Sequence, residues 1–330
     1  MKQSNFVSLP GYEEVLKGSS YFLYAHNGFL QIEGPDRNDF LQRQTTNDIY
    51  SLATGQVITT ILINPNARIL DVFNLFIDIG EGKLGLISLP GYAVNTTRFL
   101  QSRIMFMDNV TVTETSHITG QIILGGNLAE NILFSLGIDP VPESEKVAFG
   151  AIAGVPVRVL GEKVLQKRGY RIVFPLESRK LIERRLLESG STHLAIDSYH
   201  VLRIESGIPV AGAELVDAYT PLEAGLESAI SSTKGCYTGQ EVIARQLTYD
   251  KVTRHLVGLR LEDIVDPGVT VSADGKQAGT ITSSTLSPRL GPIALAYIKR
   301  PYHIPGVNVK VNHDKAGGYI PAIVTTLPFA

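Results

Sequence analysis

Apolar and polar positions change period several times along the chain, and each change marks an element. Val57 to Ile63, Ile69 to Ile79 and Leu84 to Leu89 are apolar, β-branched runs separated by Asn64-Pro65-Asn66 and Gly80-Glu81-Gly82. That pattern predicts sheet strands joined by turns. Tyr21 to Glu33 reads as two short strands around an Asn27-Gly28 turn, a hairpin signal. Gly34-Pro35-Asp36 stops the second strand, and Asp36 is placed to cap a helix carrying Phe40, Leu41 and Gln44 on one side. Helical spacing recurs over Tyr92 to Met107, over Asn127 to Leu136 with Gly137 closing it, over Leu181 to Leu187, and over Ala195 to Ser206. Strand character returns at Val110 to Leu124 and Arg171 to Phe174. Strands and helices mix without a regular βαβ alternation, which predicts an α+β class.

From Arg254 onward the pattern differs. Short apolar runs at His255 to Leu261, Val269 to Ser272, Gln277 to Thr282, Ile293 to Ile298, Val307 to Val311 and Tyr319 to Thr326 alternate with turn residues such as Asp266-Pro267-Gly268 and Asp274-Gly275. Evenly spaced short strands predict a small β-barrel or sandwich. The expected division is an α+β region over residues 1–249, in one or two subdomains, and a C-terminal β-barrel over 250–330.

Composition narrows the function classes. With 44% hydrophobic and 19% charged residues the chain is globular rather than disordered. A net charge of −2 gives no global attraction to nucleic acid or acidic membranes, so neither is an expected partner. The Met1-Lys2-Gln3-Ser4-Asn5-Phe6 start shows no secretory signal, and no apolar run approaches the roughly 20 residues of a membrane helix. The cytoplasm is the expected compartment. One cysteine excludes an internal disulfide and cannot hold an iron–sulfur cluster unaided. There is no GxGxxG opening a helix, no GxxxxGK[ST] loop and no HExxH, so no metal is expected.

The candidate chemistry centres on Lys234-Gly235-Cys236-Tyr237-Thr238-Gly239-Gln240-Glu241. Lys234 and a following helix start would both favour the thiolate of Cys236. Thr238 and Glu241 have capping-box spacing, and Cys236 reads either as a small buried hydrophobe or as a reactive thiol. Glu205 falls in the last turn of its predicted helix, where a carboxylate faces the negative end of the dipole and calls for compensation. Asp71 stands at the head of a buried strand, either bonded to a turn or aimed into a cavity.

Gly34-Pro35-Asp36, Arg203-x-Glu205-x-Gly207-x-Pro209 with Gly212 and Glu214, Pro221-x-Glu223 and Lys234-Gly235-Cys236-Tyr237-x-Gly239-Gln240-Glu241 together resemble the folate-dependent aminomethyltransferase superfamily. Within it the chain is most similar to the YgfZ family of folate-binding proteins, whose relatives assist iron–sulfur protein maturation. The resemblance implies a T-protein-like fold around a tetrahydrofolate channel, with a barrel packed against it. It implies that Glu205 holds the pterin, that Arg245 and Tyr237 line the cofactor site, and that tetrahydrofolate or a one-carbon derivative is the cofactor. Cys236, with Lys234, would be the reactive group of an accessory protein serving iron–sulfur client or assembly proteins, including tRNA-modifying enzymes. The alternative is a folate-dependent aminomethyltransferase or demethylase using Asp71 and Glu205, although Val72 stands where the transferases commonly have a second acid.

Overall fold

Period-two alternation in strand β4 (Ile69–Asp78) sends Asp71, Phe73 and Leu75 to one face of a sheet and Val72, Asn74 and Phe76 to the other. The computed structural model describes residues 8–23, 28–78, 82–164, 167–313 and 318–329. In it β4 lies in a five-stranded sheet ordered β3 (Val57–Ile63), β4, β5 (Lys83–Ser88), β2 (Gly28–Glu33) and β6 (Thr111–Glu114). Helices α2 (Arg37–Gln44) and α3 (Ala93–Gln101) cover one face, packing Phe40, Leu41 and Leu100 on Leu30, Phe73 and Leu86.

The other face meets a six-stranded sheet ordered β11 (Thr192–His193), β1 (Ser20–Leu23), β7 (Thr119–Gly125), β10 (Lys167–Pro175), β9 (Val155–Val164) and β8 (Val147–Ile152). Phe29, Phe76 and Ile87 of the first sheet pack against Leu160 and Val173 of the second. Gly85 is a requirement of that layer, because a Cβ there would come within 2.6 Å of the Phe76 ring. Helices α4 (Ala129–Ser135) and α5 (Arg179–Glu188) close the far side of the second sheet with Ile132, Leu133, Ile182 and Leu186.

The class is α+β with a C-terminal barrel, as the sequence predicts. The barrel is closed in the order β12 (Arg254–Leu261), β15 (Gly291–Lys299), β14 (Lys276–Ser287), β13 (Thr270–Ala273), β16 (Asn308–His313) and β17 (Gly318–Thr325). Helix α6 (Ile196–Glu205) joins body to barrel, its Val201 and Leu202 packed with Tyr12 and Phe22, its Ile204 with Ile293, Leu295 and Phe329.

Two local expectations change. Strands β1 and β2 form no hairpin; β1 pairs with β7 and β11 while β2 pairs with β5 and β6, so the chain passes from one sheet to the other. Helix α3 stops at Gln101 rather than Met107, and turns follow it. Strands β8 and β9, outside the runs read from the sequence, pair with each other, and β9 pairs with β10; Val155, Val157 and Val159 of β9 alternate into the core. Asn27, the Gly80-Glu81 turn and the Met1 to Phe6 start lie outside the described residues. Among the described residues no helix is long and apolar enough to cross a membrane, and no group of three or more His, Cys, Asp or Glu side chains is placed to hold a metal.

Candidate functional site

At one end of the interface between the two sheets the apolar packing gives way to a cavity of about 360 Å³. Alternation explains its lining. Val72 and Asn74 come from β4, Gln121 and Ile123 from β7, and Glu162 and Arg171 from β9 and β10. Arg171 sits directly across from Ile123 in the pairing of β10 with β7, which puts both on the cavity face. Tyr199 of α6, stacked on Phe22 at 4.2 Å, and the segment 208–211 complete the lining.

The polar groups form one network. Arg171 donates from Nε and Nη2 to the two oxygens of Glu162 at 2.8 and 3.1 Å, and from Nη1 to Gln121 Oε1 at 3.1 Å. Asn74 Nδ2 donates to Glu162 Oε1 at 3.0 Å. A bidentate guanidinium–carboxylate pair of this kind fixes both planes. Apart from Ser88, the remaining lining, with Val72, Ile87, Leu89, Ile123, Ile208 and Val210 among it, is mainly apolar. An apolar pocket with a few convergent polar groups is the usual form of a small-molecule site.

Glu205 is not part of that lining. Its carboxylate is 1% exposed and accepts from Tyr12 Oη at 2.6 Å, from Ser287 Oγ at 2.6 Å and from Arg289 Nη2 at 2.5 Å. The carboxylate clamps helix α1 (Tyr12–Lys17), helix α6 and the barrel together, and Arg289 is the compensating cation that a carboxylate at a helix C-terminus calls for. Burial first, and the Glu205 bond next, push the Tyr12 phenol up to about 12. Two other acids of the same motif region do similar work. Glu214 accepts from Arg203 Nη1 at 3.1 Å and from Ser283 Oγ at 2.6 Å, and Glu223 accepts from Arg254 Nε at 2.8 Å and from the Thr220 amide at 3.0 Å.

Asp71 faces α3, because it shares parity with Phe73 and Leu75 rather than with Val72 and Asn74. Its Oδ1 accepts from the amides of Val72 at 2.7 Å and Leu89 at 3.0 Å, and its Oδ2 accepts from Thr96 Oγ1 at 2.6 Å. Burial pushes its carboxyl up to about 7 against the lowering by those bonds.

Around Cys236 the geometry departs from the sequence reading in part. The thiol is exposed rather than packed. Lys234 Nζ, however, donates to the carbonyls of Thr45 at 2.7 Å and Asn47 at 2.5 Å and lies 5.2 Å from the Tyr237 ring centre. Burial lowers the Lys234 ammonium to about 8. Helix α7 (Gln240–Thr248) starts after Gly239, whose φ of 78° and close approach to the Asn64 carbonyl favour glycine, and no side chain caps it, so the Thr238–Glu241 capping box is absent. Tyr237 is core, packed with Ile61, Ile63 and Ile243, and Arg245 is exposed on α7; neither lines the cavity.

Comparison with known proteins decides the family. The GCVT N-terminal domain matches residues 12–234 and the glycine cleavage T-protein C-terminal barrel domain matches residues 254–330. The chain belongs to the glycine cleavage T-protein family. A protein of Arabidopsis thaliana, named provisionally as a chloroplastic transferase, is 30% identical over 92% of this chain and 70% of its own length. The aminomethyltransferase of Halalkalibacterium halodurans is 27% identical over 96% of this chain and 88% of its own, and that of Moorella thermoacetica 30% over 87% and 80%. The crystal structure of the glycine cleavage system aminomethyltransferase T from Bartonella henselae superposes with a TM-score of 0.86 at 22% identity, covering 97% of this chain and 88% of that one. The fold is thus that of the T-protein.

In this T-protein relative the cavity residues Asn74, Gln121, Glu162 and Arg171 escaped the sequence reading. The signal was there for two of them. Asn74 and Gln121 are polar positions inside otherwise apolar strands, where an unpaired amide is costly and a polar role is the explanation. Glu162 and Arg171 carry no such contrast, since their meeting depends on the pairing of β9 with β10.

Proposed function

We propose that this chain binds a reduced folate, tetrahydrofolate or a one-carbon derivative, in the cavity between its two sheets. In this reading it acts as an accessory protein, of the YgfZ branch of the family, for iron–sulfur cluster assembly or repair in client enzymes, tRNA-modifying ones among them. The observation that carries the folate reading is the Glu162–Arg171–Asn74–Gln121 network in an otherwise apolar lining. A pterin is a flat heterocycle with apolar faces and a rim of donors and acceptors, and the residues present fit it. The Glu162 carboxylate would accept from the amino-pyrimidine edge, and Arg171 with the two amides would hold that carboxylate in plane and donate to the ring carbonyl. The bound folate would supply a nitrogen that carries a one-carbon unit. Arg245, which meets no carboxylate among the described residues, is the proposed contact for the anionic glutamyl tail.

The accessory role rests on two placements. Asp71, the acid that aminomethyl transfer would use, bonds Thr96 of α3 and does not itself line the cavity. Cys236 presents a single exposed sulfur, so the other ligands of any cluster would come from the client. Mild alkylation of the native protein at neutral pH tests the thiol: rapid labelling of Cys236 is expected, and an inert sulfur removes this part. The transferase reading, with Asp71 and Glu205 as working acids, is favoured by relatives named as aminomethyltransferases. An assay with aminomethylated lipoyl carrier and tetrahydrofolate separates the two. No turnover is expected, and turnover abolished in Asp71→Asn would establish the transferase instead.

A further inference from the structure

Beyond α3 the chain places Met105, Phe106 and Met107 in water, at 53%, 97% and 66% exposure, on a turn that is held rather than loose. Asp108, itself part-buried, accepts from the Met105 amide at 2.9 Å and from Arg43 Nη2 at 2.7 Å, and Asp36 accepts from the Asn109 amide at 2.8 Å. Arg43 also donates from Nε to Asp39 at 3.1 Å, and Asp39 accepts from the exposed Tyr50 hydroxyl at 2.8 Å. Three carboxylates are thus spent on fixing the turn. Nothing in the packing calls for a phenyl ring at its tip, and leaving an apolar side chain of that size in water forgoes its burial energy. Met, aromatic and Arg side chains are the types enriched at the centre of protein interfaces, and a turn already ordered loses little entropy on docking.

Charge says what kind of surface covers it. Asp36, Asp39 and Asp108 are all engaged within the turn, whereas Arg98 and Arg103 are exposed at the end of α3 and, among the described residues, neither meets a carboxylate. The Arg103 guanidinium sits over the Phe99 ring, 5.0 Å from its centre, which holds it beside the turn. We propose that the turn Met105–Phe106–Met107 is a docking knob for a partner protein with an apolar pocket rimmed by carboxylates, Phe106 entering the pocket and Arg98 and Arg103 pairing with the rim.

The test places a benzoylphenylalanine photo-crosslinker at position 106 of the full chain in living cells. The protein captured is identified, purified and titrated against wild type, Phe106→Ser and Arg98→Glu/Arg103→Glu. All three substitutions are at exposed positions, so an unchanged melting temperature confirms folding. The proposal expects Phe106→Ser to weaken binding by about 30-fold or more, as the loss of a central anchor does. It expects the double charge reversal to weaken binding by about 10-fold at low salt and by less at high salt. It is overturned if no protein is captured, or if the captured protein binds the variants as tightly as wild type. It is equally overturned if the adduct is a second copy of this chain, or if wild type, but not Phe106→Ser, floats with phosphatidylserine vesicles. None of these outcomes depends on folate binding.

Discussion

Burial pushes the Asp71 carboxyl up to about 7, and hydrogen bonds from Thr96, Leu89, Val72 and Ser88 only partly offset the cost of ionising there. Its folded pKa lies above the ordinary 3.8, so the folded chain binds the proton more tightly than the unfolded chain. The stability it contributes is fully present below pH 3.8 and is lost as pH rises towards 7. Asp71→Asn keeps an oxygen for the Val72 and Leu89 amides and loses the ionisation, so its unfolding free energy at pH 8 should exceed that of wild type by on the order of a few kcal/mol. Denaturant titrations of both proteins from pH 4.5 to 8 measure this, and parallel curves would contradict it. Glu205 contributes through its hydrogen bonds to α1 and the barrel. Glu205→Gln should cost roughly 1–3 kcal/mol by weakening the bonds from Tyr12, Ser287 and Arg289, while leaving the affinity for a reduced folate unchanged.

Elements explain why part of this was legible in the sequence. Alternation and turn residues gave the barrel strands and β3 to β5, because each buries one face and the period is local. The hairpin expected at Tyr21 to Glu33 failed because a turn signal says nothing about which sheet each strand joins. The motif acids were visible as residues, but not as clamps: Glu205, Glu214 and Glu223 find partners 82, 69 and 31 residues away on the barrel side. Arg203 and Glu214, at 3% and 0% side-chain exposure, form the most buried of these pairs. Glu214→Ala should therefore destabilise the protein by roughly 3–5 kcal/mol, since it strands a buried guanidinium. Thermal unfolding reads this, and a loss below about 1 kcal/mol would mean that the pair is solvated.

For the whole molecule, a stacked histidine pair within the barrel carries a pH dependence of its own. His255 of β12 stacks on His303 at 4.3 Å, with a ring nitrogen of each buried and unpartnered. Burial, then the neighbouring His303 and Arg300 charges, lower His255; burial, then Arg300, lower His303; Asp250 opposes both, and Glu223 also opposes the shift at His255. Their folded pKa values lie below 6.5, so stability is full above that pH and falls as the unfolded chain takes up protons below it. His255→Phe/His303→Phe should lose less melting temperature than wild type between pH 7.5 and about 5.5. An equal loss in both proteins would place the acid sensitivity elsewhere. The cavity lies in the α+β body, where the two sheets and α6 meet, and its lining includes Glu162 and Arg171 but none of Glu205, Glu214 and Glu223. Calorimetric titration of 5-formyltetrahydrofolate into wild type, Glu162→Gln and Glu205→Gln tests that separation directly. The account predicts binding to wild type and to Glu205→Gln with equal affinity, and at least about tenfold weaker binding to Glu162→Gln. Binding lost in Glu205→Gln and kept in Glu162→Gln would contradict it.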